Sequence, residues 1–199
     1  MIDHNQSPYL LDVLDVLMDL RNDGFVKSFS GLNLPPSLIQ MAESCGFHLE
    51  TNQVSCSLLN RKNMIRHAEI HSTSYVASAP LACGLLTDDF YSNSYSLRSS
   101  PFITPLSKCQ SRYINAIKDT CEERKPLQKY LFKLISILRE IGWKHNVSIS
   151  SVAVRWMLQQ KQPTVVSTRV GQVDRSQSYR EVFTFELDHD DLMKIETCN

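Results

Sequence analysis

The 199 residues predict an α/β fold with parallel strands, and three observations carry that prediction. Short apolar or β-branched runs alternate with longer stretches of helical period. Runs near residues 27, 50 and 76 recur about 25 residues apart, the length of one strand–helix unit, and a fourth lies near 165. Each run passes straight into a polar, turn-forming stretch, which is where parallel α/β folds place ligands, at the carboxyl ends of strands.

In chain order, Ser7-Pro8 suits a helix N-cap and first turn, and Leu10, Val13, Leu14, Leu17 and Met18 form an apolar stripe read as core. Gly24 stops that helix. Residues 25–29 predict a strand that ends in Ser30-Gly31-Leu32-Asn33. Pro35-Pro36 opens a second helix carrying Leu38, Ile39 and Ala42, closed by Gly46. Phe47, Leu49 and Val54 mark the next strand, with Thr51-Asn52-Gln53 at its carboxyl end. Residues 61–71 read as helical. Residues 74–79 form a third strand running into Pro80-Leu81-Ala82-Cys83-Gly84.

Residues 87–126 interrupt the rhythm. Within them 92–100, rich in Ser and Tyr, predict a loop and 106–121 a helix; the whole excursion reads either as a substrate lid or as a structural insertion. Residues 127–145 predict a long helix with Tyr130, Leu131, Leu134, Leu138 and Ile141 on one face. Ser148 then caps a helix whose Ile149, Val152, Ala153, Trp156 and Met157 share a face, ended by Lys161-Gln162-Pro163. Thr164-Val165-Val166 is long enough only for a buried strand, and Ser167, Thr168, Arg169 and Gly171 form its polar end. A last helix at 188–197 carries Leu192 and Ile195.

Length and composition bound the function. One domain over residues 1–199 is the natural expectation, and 21 basic residues against 21 acidic leave no net field to recruit nucleic acid or an anionic membrane. Six cysteines are scattered without a C-x-x-C pair, as in a reduced, cytoplasmic protein. The first residues lack a signal peptide, and no apolar run approaches the roughly 20 residues needed to span a bilayer; an organellar destination would require a transit peptide ahead of Met1. His67 and His71 stand i, i+4 but lack a third ligand, so no metal site is expected. Arg61, Lys62 and Arg66 read as a solvated basic patch. Cys83 reads as a redox-sensitive or a packed thiol. No glycine-rich phosphate loop is present, which argues against other dinucleotide folds.

Five short stretches in order resemble the aldo-keto reductases. They are Lys27-Ser28-Phe29-Ser30-Gly31-Leu32-Asn33, Thr51-Asn52-Gln53-Val54, Ala79-Pro80-Leu81-Ala82-Cys83-Gly84-Leu85-Leu86, Val152-Ala153-Val154-Arg155-Trp156 and Val165-Val166-Ser167-Thr168-Arg169. The resemblance implies a (β/α)8 TIM barrel that passes a hydride between NADP(H) and a small carbonyl substrate. It implies an incomplete barrel here, about strands four to eight with their helices. By the same resemblance Asn33 and Gln53 hold the nicotinamide carboxamide, for which an amide donor and acceptor are apt. Ala79 and Leu81 fall where the pyrophosphate is held. Thr168, Arg169, Gln172 and Arg175 fall where the adenosine phosphate is gripped, a task suited to the arginine fork. His4 falls at the end of strand four, where the family histidine orients and polarises the carbonyl.

Against the family pattern, no residue aligns with the Tyr acid or its Lys and Asp partners, which belong to strands two and three. Ser78 replaces the aromatic that stacks on the nicotinamide, a contact worth about 1 kcal/mol. Leu32 stands where Ser is common, and Asn5 rather than an aromatic follows His4. Two functions follow as expectations. One is an N-terminally truncated reductase, nearly inactive alone. The other is a non-catalytic barrel remnant that binds cofactor or protein, with self-association through open sheet edges.

Overall fold

The computed structural model describes residues 7–61, 73–95, 106–118, 127–160, 165–166 and 176–198. In it the alternation of strand and helix takes the order α1 (Ser7–Asn22), β1 (Ser30–Leu32), α2 (Pro36–Ser44), β2 (Thr51–Ser55), β3 (Ser74–Ser78), a 3-10 turn (Ala82–Gly84), α3 (Asp88–Tyr95), α4 (Lys108–Lys118), α5 (Leu127–His145), α6 (Ile149–Leu158), β4 (Val165–Val166), α7 (Ser176–Glu181) and α8 (His189–Glu196). The strand order is β1-β2-β3-β4. β1 and β2 are parallel, with Ser30, Gly31 and Leu32 opposite Thr51, Asn52 and Gln53. β3 continues in the same sense, since Ser74 N–H donates to Glu50 O (3.2 Å) and Cys56 N–H to Ser78 O (2.9 Å). Contacts divide the chain into two units, one of Met1–Val54 with Asn63–Val76 and one of Ser55–Lys62 with Ala77–Asn199.

The first unit has a small core. Leu14 of α1 meets Ile39 and Ala42 of α2 and the connecting residues Phe47 and Leu49, with Leu17, Met18, Phe29 and Leu34 packed around them. The apolar stripe of α1 is therefore only partly core. Val13, expected inside, is exposed, because the nearby elements reach only the side of the helix that carries Leu14. Both strands begin later than their apolar runs predict. Phe29, Phe47 and Leu49 lie just before the strands and fill the core from the connecting segments, with Phe29 and Phe47 ring centroids 5.3 Å apart. The strands proper start at Ser30 and Thr51, just after Glu50 N–H donates to Phe29 O at 2.9 Å, so Thr51, Asn52 and Gln53 sit inside β2 rather than beyond it.

The second unit is built on α5. Leu131, Leu134, Ile135, Leu138 and Ile141 are all buried, and α5 packs on α6 and α8. Asn146 at φ 56 closes α5, and Val147 N–H returns to Gly142 O at 2.9 Å, the left-handed stop that asparagine tolerates. Ser148 caps α6 as expected, its Oγ accepting from Ser151 N–H at 3.1 Å, and the whole expected apolar face of α6 is buried. Two carboxylates cover the same helix start. Asp88 accepts from Ile149 N–H at 3.1 Å, and Glu181 accepts from the Ser151 hydroxyl at 3.0 Å. Burial pushes the Asp88 carboxyl up, against the hydrogen bond from Ile149.

α8 is tied to the end of α5 by charge. Asp188 and Asp191 form a capping box, and buried Asp191 accepts from His145 Nε2 (2.7 Å) and Lys144 Nζ (2.9 Å). Two sequence expectations change here. Residues 92–95, expected as loop, belong to α3, whose start is capped when Phe90 N–H donates to Thr87 Oγ1 at 3.2 Å. Arg61, expected to be solvated and helical, is neither: its guanidinium lies 4.8 Å from the Trp156 ring centroid and donates to Glu196 at 3.1 Å. Lys62, Arg66, His67 and His71 lie outside the described residues. Among the described residues, no helix is long and apolar enough to cross a membrane.

Candidate functional site

Parallel pairing of β1 with β2 brings two of the expected site residues together. Asn33 follows β1 directly, and its backbone N–H donates to Gln53 O at 2.7 Å. Asn33 has φ 53, a left-handed conformation that Asn reaches more easily than other residues with a Cβ, and its side chain is exposed. Gln53 is half-buried on the face of β2 opposite Asn52 and Val54. Two amide-bearing residues thus become neighbours through the backbone of adjacent parallel strands at the point where the first strand ends.

Asn52, which sequence reasoning left without a role, holds this corner. Fully buried, it accepts from Leu34 N–H (3.3 Å) through Oδ1 and donates to Leu34 O (2.9 Å) through Nδ2. The side chain thereby replaces the ladder partner that the chain loses as it turns from β1 to α2. Gly31 makes this approach sterically feasible, since a Cβ there would stand 2.7 Å from Asn52 Oδ1 and 2.6 Å from Leu34 Cδ1. The only sequence signal was a glycine in register with an asparagine, which becomes visible once the strands are paired.

The second cluster is the turn after β3. Ala79, Ala82 and Cys83 have φ of 54, 50 and 56, followed by Gly84 at 90. Each left-handed residue with a Cβ costs on the order of 1 kcal/mol, and such strain concentrates at ligand-holding segments. The turn is held from within, by Ala82 N–H to Ala79 O (2.9 Å), Gly84 N–H to Leu81 O (2.9 Å) and Leu86 N–H to Leu81 O (3.2 Å). It is also anchored by Leu85 and Leu86, both fully buried. α4 packs on it, and Tyr113 of α4 shares a 2.6 Å hydrogen bond with buried Ser57. Burial, aided by the nearby Cys56 and Cys83, outweighs the hydrogen bond with Ser57, which works the other way, and leaves the Tyr113 phenol pushed up to about 12. It is a neutral structural hydroxyl at any physiological pH.

A model of the aldo/keto reductase family matches residues 2–199. The chain belongs to that family. No curated protein matches it by sequence. Among solved structures it is similar to a thermostable aldo-keto reductase in complex with the inhibitor epalrestat (TM-score 0.60, 16% identity, covering 94% of this chain and 53% of that one). It is similar also to an aldo/keto reductase from Brucella melitensis (TM-score 0.56, 16% identity, 96% and 55%). A third is a variant of Gox0644 solved with NADPH (TM-score 0.55, 18% identity, 93% and 51%). The chain spans about half the length of these aldo-keto reductase structures.

Of the nine residues the family resemblance singled out, the structure describes four. Asn33 and Gln53 are adjacent, and Ala79 and Leu81 frame the strained turn. His4, Thr168, Arg169, Gln172 and Arg175 lie outside the described residues. Ser78 closes β3, and its carbonyl accepts from Cys56 N–H at 2.9 Å. Leu32, at the Ser position, is exposed. Among the described residues no group of three or more His, Cys, Asp or Glu could hold a metal ion.

Proposed function

We propose that this chain is the cofactor-binding side of an NADP(H)-linked aldo-keto reductase acting on a small aldehyde or ketone. In this reading β1 to β4 stand for strands five to eight of the (β/α)8 barrel. The observation that carries it is the backbone hydrogen bond from Asn33 N–H to Gln53 O, which makes two amide-bearing residues neighbours at the end of β1, as a shared carboxamide would need. The donor set fits the group, since a carboxamide needs both a donor and an acceptor in its plane and each amide offers both. When bound, the cofactor supplies the hydride. Asn33 and Gln53 would fix the face it presents, while Ala79 and Leu81 would position its pyrophosphate. Thr168, Arg169, Gln172 and Arg175 would grip its adenosine phosphate, and His4 would orient the carbonyl oxygen. The proton donor, a tyrosine with its lysine and aspartate partners in this family, would come from barrel strands outside these residues.

Calorimetric titration with NADPH tests the reading. We expect binding, weakened about five- to tenfold by Gln53→Ala and by Asn33→Gly, each of which removes hydrogen bonds worth about 1 kcal/mol. Glycine is chosen at 33 because it accepts φ 53 without strain. Carbonyl reduction by the 199 residues alone should run about 10²–10⁴-fold below that of a form joined to the family's first barrel strands, the usual worth of a positioned acid. Absence of NADPH binding, or full affinity in the Asn33→Gly/Gln53→Ala pair, would reject it.

A further inference from the structure

The turn after β3 is braced from outside as well as from within. It strings together three left-handed residues that carry a Cβ, Ala79, Ala82 and Cys83, and such backbone persists only where its surroundings over-determine it. Those surroundings include α4, which packs on the 3-10 turn and buries Tyr113, Ile114 and Ile117. The start of α4 is fixed by a capping box, in which Gln110 N–H donates to Ser107 Oγ (3.2 Å) and Ser107 N–H to Gln110 Oε1 (2.9 Å). The other end of the same amide faces the turn, since a Cβ on Gly84 would stand 3.9 Å from Gln110 Nε2.

Tyr113, one helical turn beyond Gln110, reaches the loop that follows β2. Its hydroxyl shares the 2.6 Å hydrogen bond with Ser57 Oγ, across 56 residues of sequence. Ser57 is fully buried and closes a tight turn of its own, its Oγ accepting from Leu59 N–H (3.1 Å) and its carbonyl from Asn60 N–H (2.9 Å). A hydroxyl suits that double duty, because it offers one donor and two acceptor positions. The adjoining Cys56 N–H donates to Ser78 O at 2.9 Å, and Ser78 directly precedes Ala79. A continuous path therefore runs from Tyr113 through Ser57 and Cys56 to the first left-handed residue of the turn. α4 grips the turn at both ends, by this path at Ala79 and by Gln110 at Gly84, and all of these residues lie in the second unit. We propose that Tyr113 is a positioning residue for the pyrophosphate of the dinucleotide, acting through Ser57 on the turn of Ala79 and Leu81 without touching the ligand. The proposal rests on the cofactor reading above and assigns to part of the 87–126 excursion the task of holding the pyrophosphate turn in shape.

Calorimetric titration and amide hydrogen exchange on the full 199-residue protein test it together. Tyr113→Phe deletes one oxygen and should weaken NADPH binding about fivefold, the usual worth of one hydrogen bond. 2′-Phospho-ADP-ribose, which keeps the pyrophosphate and lacks the nicotinamide, should weaken by the same factor. Adenosine 2′-monophosphate, which has no pyrophosphate, should bind as it does to the parent. Ser57→Ala should also weaken NADPH, and the Tyr113→Phe/Ser57→Ala pair should lose no more than Ser57→Ala alone, because both changes remove one shared bond. Ile135→Val, in the buried core of α5, supplies a loss of stability unconnected with the turn and should leave NADPH affinity unchanged. Without any ligand, exchange at the Ala82, Gly84 and Leu86 amides should quicken in Tyr113→Phe while that at Leu138 does not. Parent-like NADPH affinity in Tyr113→Phe, additive losses in the pair, or unaltered exchange in the turn overturns the proposal. So does equal weakening of all three ligands, or weakening by Ile135→Val, either of which would mark a general loosening. A parent protein that binds no NADPH overturns the cofactor reading and this proposal with it, whereas a parent that binds and a Tyr113→Phe variant that binds equally well overturns this proposal alone.

Discussion

α1 and α5 are near-equals as sequences and opposites as structures. Both are amphipathic helices, of 16 and 19 residues, with aliphatic side chains at i, i+3 and i+4. α5 buries Leu131, Leu134, Leu138 and Ile141 of its stripe and half-buries Tyr130, whereas α1 buries Leu14, half-buries Leu17 and Met18, and leaves Val13 and Val16 in solvent. Periodicity reports that a helix has an apolar face. Whether something covers that face depends on what else the chain brings to it. The sharpest test compares one side chain from each helix. Leu138→Ala in α5 should cost about 3 kcal/mol in urea denaturation, the usual toll of a cavity at a fully buried leucine. Val13→Ala in α1 should stay within about 0.5 kcal/mol. Similar losses at both sites would erase the contrast.

A second difference is that the α5 region is locked by charge as well as by packing. Desolvation of buried Asp191 works to raise its pKa, but hydrogen bonds from His145, Lys144 and the Asp188 N–H outweigh it and hold the carboxyl below its usual value. Asp188, hydrogen-bonded to Lys144, is likewise lowered to about 2. A depressed carboxylate pKa stabilises the fold at pH values above the unfolded value of about 4, and that contribution is lost as pH falls through the folded value. Lys144, raised chiefly by Asp188, contributes in the opposite sense, from low pH up to its unfolded value. Asp191→Asn should therefore cost about 2 kcal/mol at pH 7. Denaturation at a series of pH values should show the gap to the parent steady above about pH 5 and closing below about pH 4. A gap independent of pH would mean that the charge adds nothing to the lock.

The same contrast explains what could be read in advance. α5 and α6 were legible to within a residue or two because their signals are local. Ser148 offers a cap, and the buried positions Ile149, Val152, Ala153, Trp156 and Met157 repeat with the helical period. The strands of the first unit were placed early because Phe29, Phe47 and Leu49 look like strand but fill the core from the connecting segments, and periodicity cannot separate those two states. At the site, the adjacency of Asn33 and Gln53 followed from the strand order. The clamp of Asn52 on Leu34 did not, since it links residues that meet only after β1 and β2 pair. Exposure along α1 was illegible for a related reason. The stripe is genuine, and only the inventory of packed neighbours shows that part of it is left over.

The corner at Gly31 limits how loosely the first unit can be regarded. A Cβ at this position meets two atoms of unequal resistance. Leu34 Cδ1 ends a half-buried side chain and can rotate aside. Asn52 Oδ1 cannot retreat without giving up its hydrogen bond from Leu34 N–H, and Nδ2 is committed to Leu34 O. Gly31→Ala should cost about 1 kcal/mol in stability, at the low end for overpacking, because only one of the two neighbours is fixed. Its larger effect should fall on ligand binding. Displacing Asn52 releases Leu34, and with it the left-handed Asn33 that precedes it, so NADPH affinity should drop by at least as much as in Asn33→Gly while the melting midpoint falls by only about 2–4 °C. An unchanged affinity in Gly31→Ala would show that the corner yields like the rest of α1's surroundings. A drop in affinity beyond the stability loss would show that the clamp of Asn52 on Leu34 sets the position of Asn33.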